Sequence, residues 1–301
     1  MTMTGSSRES LREEVRRVLA EQEPPRLGAN DILSSLYSPA AYKQETSGKL
    51  VWKRPKTVET RDAEGLPIPP AELRMGHSEK DLDFLAAGRA SASWIRRIMA
   101  REGVNLTERV SVLDWGCASG RVLRHFAEEA KRGEFWGSDE SGSCMAWAKE
   151  HLSPPFKFVT CTAYPHMPFE DGKFTLIYGL SVFTHILHLS DMWLMEFRRI
   201  LKPGGYALFS IHDDNTHECL RKNEQLRRLW LEHGWWVDQD FSQGLLNDVE
   251  VAGLGKSWWQ VTTFFKQDWV RREWGQYLDF VSFELGLESY QTVVVLKKPQ
   301  I

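Results

Sequence analysis

From residue 109 onward the chain alternates short apolar runs with amphipathic stretches of helical period, and this rhythm constrains the fold more than any other feature. "RVSVLDWG", "EFWGSD", "FKFVT", "FTLIYGLS" and "YALFSIHD" read as strands. "SGRVLRHFAEEAKR", "SCMAWAKEHL" and "SDMWLMEFRRIL" read as helices between them, with "KPGG" stopping the last. Apolar strands joined through helices form βαβ crossovers, so an α/β fold with a mostly parallel sheet and helices on both faces is expected. A charged helix over about 216–233 ends the rhythm. Beyond it, "DVEVAG" and "WWQVTTFFK" read as strands and "KQDWVRREWGQYL" as a helix, while "DFVSFEL" and "YQTVVVLKK" form a closing antiparallel hairpin.

The first third reads as an attachment to this unit. "SLREEVRRVLAEQ" sets Leu11, Val15, Val18 and Leu19 on one helical face, and "EPP" ends the helix. A second copy of the chain would cover that apolar face, which suggests a homodimer. Residues 24–77 are rich in Pro, Gly, Ser and charge and suit a lid or an extended wrap. A helix over 79–102 opens the main domain. The expected division is a helical and extended lid over 1–78 and one domain over 79–301, with an insertion at about 234–275.

Composition narrows the partners. A net charge of −3 with no basic stripe excludes a phosphate-reading nucleic-acid binder. No apolar run approaches the roughly 20 residues needed to span a bilayer. Cys117, Cys144, Cys161 and Cys219 are scattered without a CxxC pair, and the polar start lacks a signal-peptide core. A reduced, cytoplasmic protein is expected.

The chemistry concentrates in "VLDWGCASGRVLRHF", residues 112–126, where a buried strand ends on a carboxylate, Asp114, and is followed by Gly116, Ala118 and Gly120. Ligands of an open α/β sheet bind at the carboxyl ends of the strands, where small residues let the backbone approach. The dinucleotide fingerprint G-x-G-x-x-G fails here, because "GCASGR" puts Ala118 at the second glycine and Arg121 at the third. The loop fits D-x-G-x-G-x-G, with Ala118 at the middle glycine. Asp139 ends the next strand 25 residues after Asp114. "LKPGG" precedes a fifth strand, and "YQTVVVLKK" closes the sheet.

In these elements and their order, residues 79–298 resemble a class I S-adenosylmethionine-dependent methyltransferase. The resemblance implies a Rossmann-like seven-stranded sheet with S-adenosyl-L-methionine as cofactor. It implies that Asp114 lies beside the methionine end, that Gly116, Ala118 and Gly120 give the cofactor room, and that Asp139 accepts the ribose hydroxyls. Arg121, Ala163 in "TAYPHMPFEDGKFTLIYG" and Leu180 in "YGLS" complete the implied contacts. Ala163 departs from the family, which often has an acid there. The fourth strand lacks the Asn/Asp-Pro-Pro-aromatic tetrapeptide of methylases acting on DNA adenines. A non-catalytic cofactor-binding regulator and a nicotinamide-linked oxidoreductase are the alternatives.

For the acceptor, His185 in "SVFTHI" and Asp213 in "SIHDDNTH" are the candidate catalytic groups. "SVFTHI" resembles a small-molecule branch of the family in which this segment borders the active site. His185 reads equally as a general base or as a structural histidine. A metal held by His212, Asp213, Asp214 and His217 is conceivable but not expected. Seven of the thirteen tryptophans follow residue 228, so Trp258 and Trp259 are candidate acceptor walls, with Arg271 as a candidate partner for a carboxylate. Two acceptors fit: an alcohol or phenol methylated on oxygen, and an amino-acid-like metabolite such as methionine methylated on S or N, whose product cation the tryptophans would face.

Overall fold

The computed structural model describes residues 42–44, 50–52, 60–75, 77–186, 189–232, 244–245, 247–252, 262–288 and 290–300. The expected helix over 11–19 and the tryptophans at 235–236 and 258–259 lie outside them.

Strands β1 (Tyr42–Gln44) and β2 (Leu50–Trp52) form a separate antiparallel pair. Helix α1 (Asp81–Arg101) leads into β3 (Ser111–Trp115), and β4 (Glu134–Asp139), α2 (Gly142–Leu152) and β5 (Lys157–Thr160) follow. Then come β6 (Phe174–Gly179), α3 (Ser190–Ile200) and β7 (Leu201–Asp213). The remainder is α4 (Asp214–Lys222), α5 (Glu224–Glu232), β8 (Val249–Ala252), β9 (Thr262–Phe265), α6 (Gln267–Glu273), β10 (Asp279–Glu288) and β11 (Gln291–Lys297). The main sheet runs β10-β11-β7-β6-β3-β4-β5. Its β3 to β7 are parallel, and β10 and β11 are antiparallel. The seven expected strands are therefore present. Two more extend the sheet: the end of β7 pairs with β9, and β9 with β8.

Alternation along the central strands builds two cores. Val112, Leu176, Tyr178 and Leu208 face one side, against Ile95 and Ile98 of α1 and Trp147 of α2. Leu113, Ile177, Ala207 and Phe209 face the other, against Trp193 and Phe197 of α3 and Val270 of α6. The chain leaves β3 toward β4 on one side and returns to β6 on the other, which opens a crevice at the carboxyl end of β3, where a ligand is expected.

Three sequence readings are corrected. "SGRVLRHFAEEAKR" is not a continuous helix but a succession of turns, with 3-10 segments at Leu123–Phe126 and Glu129–Lys131. In the first of these segments Arg124 turns inward to an ion pair with Asp62 (2.7 Å) and to the carbonyls of Leu66 and Pro67. The charged helix over 216–233 is two helices, because Asn223 breaks it and accepts the amide of Leu226 as a cap. "KPGG" lies within β7, where Gly204 takes a φ of 75°.

Candidate active site

The loop after β3 is built to bring backbone close to a ligand. Gly116, Ala118 and Gly120 all have left-handed φ, at 76°, 45° and 82°. A side chain at Gly116 would meet Val182 Cγ2 at 2.3 Å, so the loop packs directly on the segment after β6. Ala118 holds a conformation that costs an L-residue about 1–2 kcal/mol. Asp139 compensates it: Oδ2 accepts the Ala118 amide at 2.8 Å and Oδ1 the Ser141 amide at 2.8 Å.

A small cavity opens on this loop, lined by Asp114, Gly116, Cys117, Ala118, Arg121 and Leu180 and roofed by Arg74, His77 and Phe84. Ser119 Oγ donates to the Leu73 carbonyl at 2.7 Å and so ties the roof to the loop. Arg74 holds the roof's own turn through the carbonyls of Pro69, Ser78 and Glu79. Arg74 and His77, from the segment before α1, thus line the cavity opposite the loop.

The electrostatics suit a cation and not a phosphate. Asp114 is buried and accepts the Tyr178 hydroxyl at 3.0 Å. Burial pushes its carboxyl up to about 7, against that hydrogen bond and the charge of Arg121. Asp139 is likewise raised by burial, against its backbone donors. Glu140, which the sequence reading missed, is pushed up to about 8 by burial and then by Asp139. None of the three forms an ion pair among the described residues. The charge of Arg121 does not fill this role, because its guanidinium is paired with Glu288 at 3.2 Å and reaches Ser91. An ammonium or sulfonium and a pair of ribose hydroxyls fit these carboxylates. A pyrophosphate would be repelled.

Beyond Leu180, Ser181 has a left-handed φ of 58°. Its amide donates to Ser210 Oγ at 2.6 Å, and its hydroxyl lies 2.9 Å from Gln291 Nε2 and 3.1 Å from Gln291 Oε1. Gln291 Nε2 also lies 3.3 Å from His212 Nε2. The His212 ring is enclosed by Trp230, Phe264 and Tyr290, with centroids 5.0, 5.3 and 5.8 Å away. Burial, then the nearby His185, pushes its pKa well down, so the imidazole is neutral. Sequence reasoning weighs His212 as a candidate base and as a metal ligand, and misses Ser181 and Gln291. Gln291 joins the site from the last strand, 110 residues downstream of Ser181. The left-handed φ at Ser181 has no signature in residue type.

The other candidates are spread more widely. His185 is half-buried in the 3-10 turn Phe183–His185, which Phe183 anchors against Trp115, Phe209 and Trp274. Asp213 caps α4: Oδ1 accepts the Thr216 amide and Oδ2 the Gln267 side chain at 2.6 Å, so its oxygens serve the fold rather than a substrate. Ala163 is exposed on the loop after β5 and does not line the cavity. Arg271 is exposed, paired with Asp268 and laid over Phe280 and Phe283. Trp258 and Trp259 lie outside the described residues. Among the described residues no group of three or more His, Cys, Asp or Glu could hold a metal, and no helix is long and apolar enough to cross a membrane.

Residues 112–205 match a family model described as a methyltransferase domain. Among similar proteins is the sterol 4-C-methyltransferase of Caenorhabditis elegans, 26% identical over 50% of this chain and 45% of its own. Another is the ubiquinone/menaquinone biosynthesis C-methyltransferase of Bordetella avium, 32% identical over 35% of this chain and 41% of its own. The chain spans less than half the length of either relative. A SAM-dependent methyltransferase structure from Methanosarcina mazei aligns with a TM-score of 0.48 at 18% identity, covering 64% of this chain and 94% of that one.

Proposed function

We propose that this chain, which carries a class I S-adenosylmethionine-dependent methyltransferase domain, moves a methyl group from that cofactor to a small, apolar acceptor bearing a hydroxyl group. The observation that carries the reading is the pair of buried carboxylates, Asp114 and Asp139, at the ends of adjacent strands around a left-handed loop. In this reading Asp114 holds the ammonium of the cofactor's methionine end and Asp139 takes the ribose hydroxyls. Gly116 and Ala118 give the backbone its close approach, and Leu180 packs on the cofactor. Arg74, His77 and Phe84 cover the crevice and keep water from it. When bound, S-adenosylmethionine supplies a sulfonium methyl: the bond to the acceptor forms as the sulfur–carbon bond breaks, the sulfur leaves as a neutral thioether and the acceptor loses a proton.

An apolar acceptor is favoured over an amino acid. An amino-acid acceptor needs an acid for its ammonium and a cation for its carboxylate, and the candidates for those roles are engaged elsewhere: Asp213 with Gln267, Asp248 with Arg272, Glu250 with the Asn247 amide, Arg89 with Glu64 and Arg271 with Asp268. Around His212, at the carboxyl end of β7, lies a buried aromatic cluster of Trp230, Phe264 and Tyr290, an apolar setting with no charged partner for an amino acid among the described residues. The relatives' names, sterol and ubiquinone/menaquinone C-methyltransferases, also point to apolar cyclic acceptors. His185, half-buried beside this wall, is the group proposed to take the acceptor's proton.

The test is incubation with methyl-labelled S-adenosylmethionine and a panel of catechol, 1,4-naphthohydroquinone, ergosterol and methionine, following the label by mass. Label in a neutral, organic-soluble product supports the reading. Label in methionine overturns the acceptor class. Tight cofactor binding with no label in any product favours a non-catalytic binder.

A further inference from the structure

Three observations converge just beyond Leu180. First, Ser181 is a non-glycine residue held at a φ of 58° at the end of β6. Such strain costs about 1–3 kcal/mol and persists where the surroundings impose it. Here they do: the Ser181 amide is tied to Ser210 Oγ, which is fully buried. Second, both chain neighbours of Ser181 touch the cofactor loop. Leu180 lines the cavity, and Val182 fills the space beside Gly116. Third, the hydroxyl is gripped by Gln291, whose amide nitrogen is in turn directed at His212 Nε2.

The third contact orients the first two. A buried imidazole kept neutral accepts through one nitrogen only. In the tautomer that leaves His212 Nε2 unprotonated, the Gln291 NH2 at 3.3 Å donates to the ring. The same amide group lies 2.9 Å from Ser181 Oγ through its nitrogen, and the hydroxyl donates to Gln291 Oε1 at 3.1 Å, which leaves a lone pair of Oγ to accept from a ligand. Among the described residues, buried His212 Nδ1 has no hydrogen-bond partner, and the ring is held by its aromatic walls and by Gln291. The backbone conformation does not explain the side chain, because a glycine at 181 would take the same backbone without strain.

We infer that Ser181 is the acceptor-positioning group of the transfer site, its hydroxyl holding the acceptor's oxygen beside the cofactor loop, with Gln291 and His212 as positioning residues behind it. The inference rests on the methyltransferase reading and adds a specificity: the acceptor carries a hydroxyl or carbonyl oxygen adjacent to the atom that receives the methyl, or receives it on that oxygen. Ser181 alone of the three touches the acceptor.

Ser181→Gly is the decisive variant, since it removes the hydroxyl and the backbone strain together. Its melting temperature is expected to equal or exceed the wild type's, with the dissociation constant for S-adenosylmethionine within twofold. With 1,4-naphthohydroquinone as acceptor, KM is expected to rise at least tenfold and kcat to fall by a similar factor. Ser181→Asn, which tolerates the left-handed backbone and restores a polar group, is expected to recover part of the loss. His212→Phe, which keeps the ring packing and removes the nitrogen, is expected to raise KM about three- to tenfold. Kinetic constants for Ser181→Gly within twofold of wild type overturn the inference and leave the methyltransferase reading standing. If the wild type transfers no label, that reading fails, and equilibrium dialysis of the naphthohydroquinone against S-adenosylhomocysteine-saturated protein decides the inference alone. Binding by the wild type that Ser181→Gly loses supports it. Equal binding by both, or none by the wild type, overturns it.

Discussion

Asp139 Oδ2 accepts the backbone amide of Ala118 at 2.8 Å, which joins the tip of β4 to the left-handed residue in the middle of the Gly116–Gly120 loop. One carboxylate therefore shapes the loop that lines the crevice. Asp139→Ala is expected to weaken S-adenosylmethionine binding by about 1–3 kcal/mol, roughly 5- to 150-fold. Isothermal calorimetry measures it, and an unchanged affinity would remove Asp139 from the cofactor site.

Gly116 and Gly65 have nearly the same φ, 76° and 80°, but different surroundings. Among the described residues, a Cβ at Gly65 meets nothing within 4 Å, whereas one at Gly116 lies 2.3 Å from Val182 Cγ2. Gly65→Ala is expected to cost about 1–2 kcal/mol from backbone strain alone. Gly116→Ala adds an overpacking cost of about 1–3 kcal/mol and displaces the segment bearing Ser181. Denaturant titration of the two variants separates the contributions; equal losses would contradict the contact.

The raised carboxyl of Asp114 makes the cofactor-free protein pH-sensitive. Between its ordinary value of 3.8 and about 7, the folded state keeps a proton that the unfolded chain has released. Stability is therefore highest at the acid end of this window and falls as pH rises to about 7, at up to about 1.4 kcal/mol per pH unit. Glu140, raised to about 8, adds a loss of the same sign and carries it to that pH. Asp114→Asn is expected to flatten the curve, making the variant more stable than wild type at pH 8 and equal to it near pH 4. Urea titrations at those two values are the check.

The roof over the crevice is anchored by the Arg124–Asp62 pair, whose side chains are both almost wholly buried. Removing one member of such a pair costs about 3–5 kcal/mol. Arg124→Ala is expected to lower stability by that amount and to admit protease cleavage within residues 60–75. A loss under about 1 kcal/mol with the segment still protected would show that other contacts hold the roof.

Much of the site was legible in local pattern. The period-2 and period-3.6 alternation located β3 to β7, and the run of small residues after Asp114 located the loop, because close backbone approach needs small side chains there. The turn region after Gly120 was misread as a helix. Its apolar spacing is helical, but the segment packs through Arg124 on Asp62, 62 residues away in the chain, a contact that no local spacing reveals. Asp213 was read as chemistry and is a helix cap, a distinction that depends on Gln267 approaching from α6.

By itself, then, the sequence determined the sheet-forming segments, the loop and the two carboxylates beside it, since each follows from periodicity or from residue type within a short window. Only the tertiary structure decided which polar groups meet. Gln291 reaches Ser181, and Glu288 captures Arg121, because β10 and β11 fold back antiparallel beside β7. The charge state of Asp114 likewise comes from burial. Pairing and desolvation are properties of neighbours in space, and no short stretch of chain encodes them.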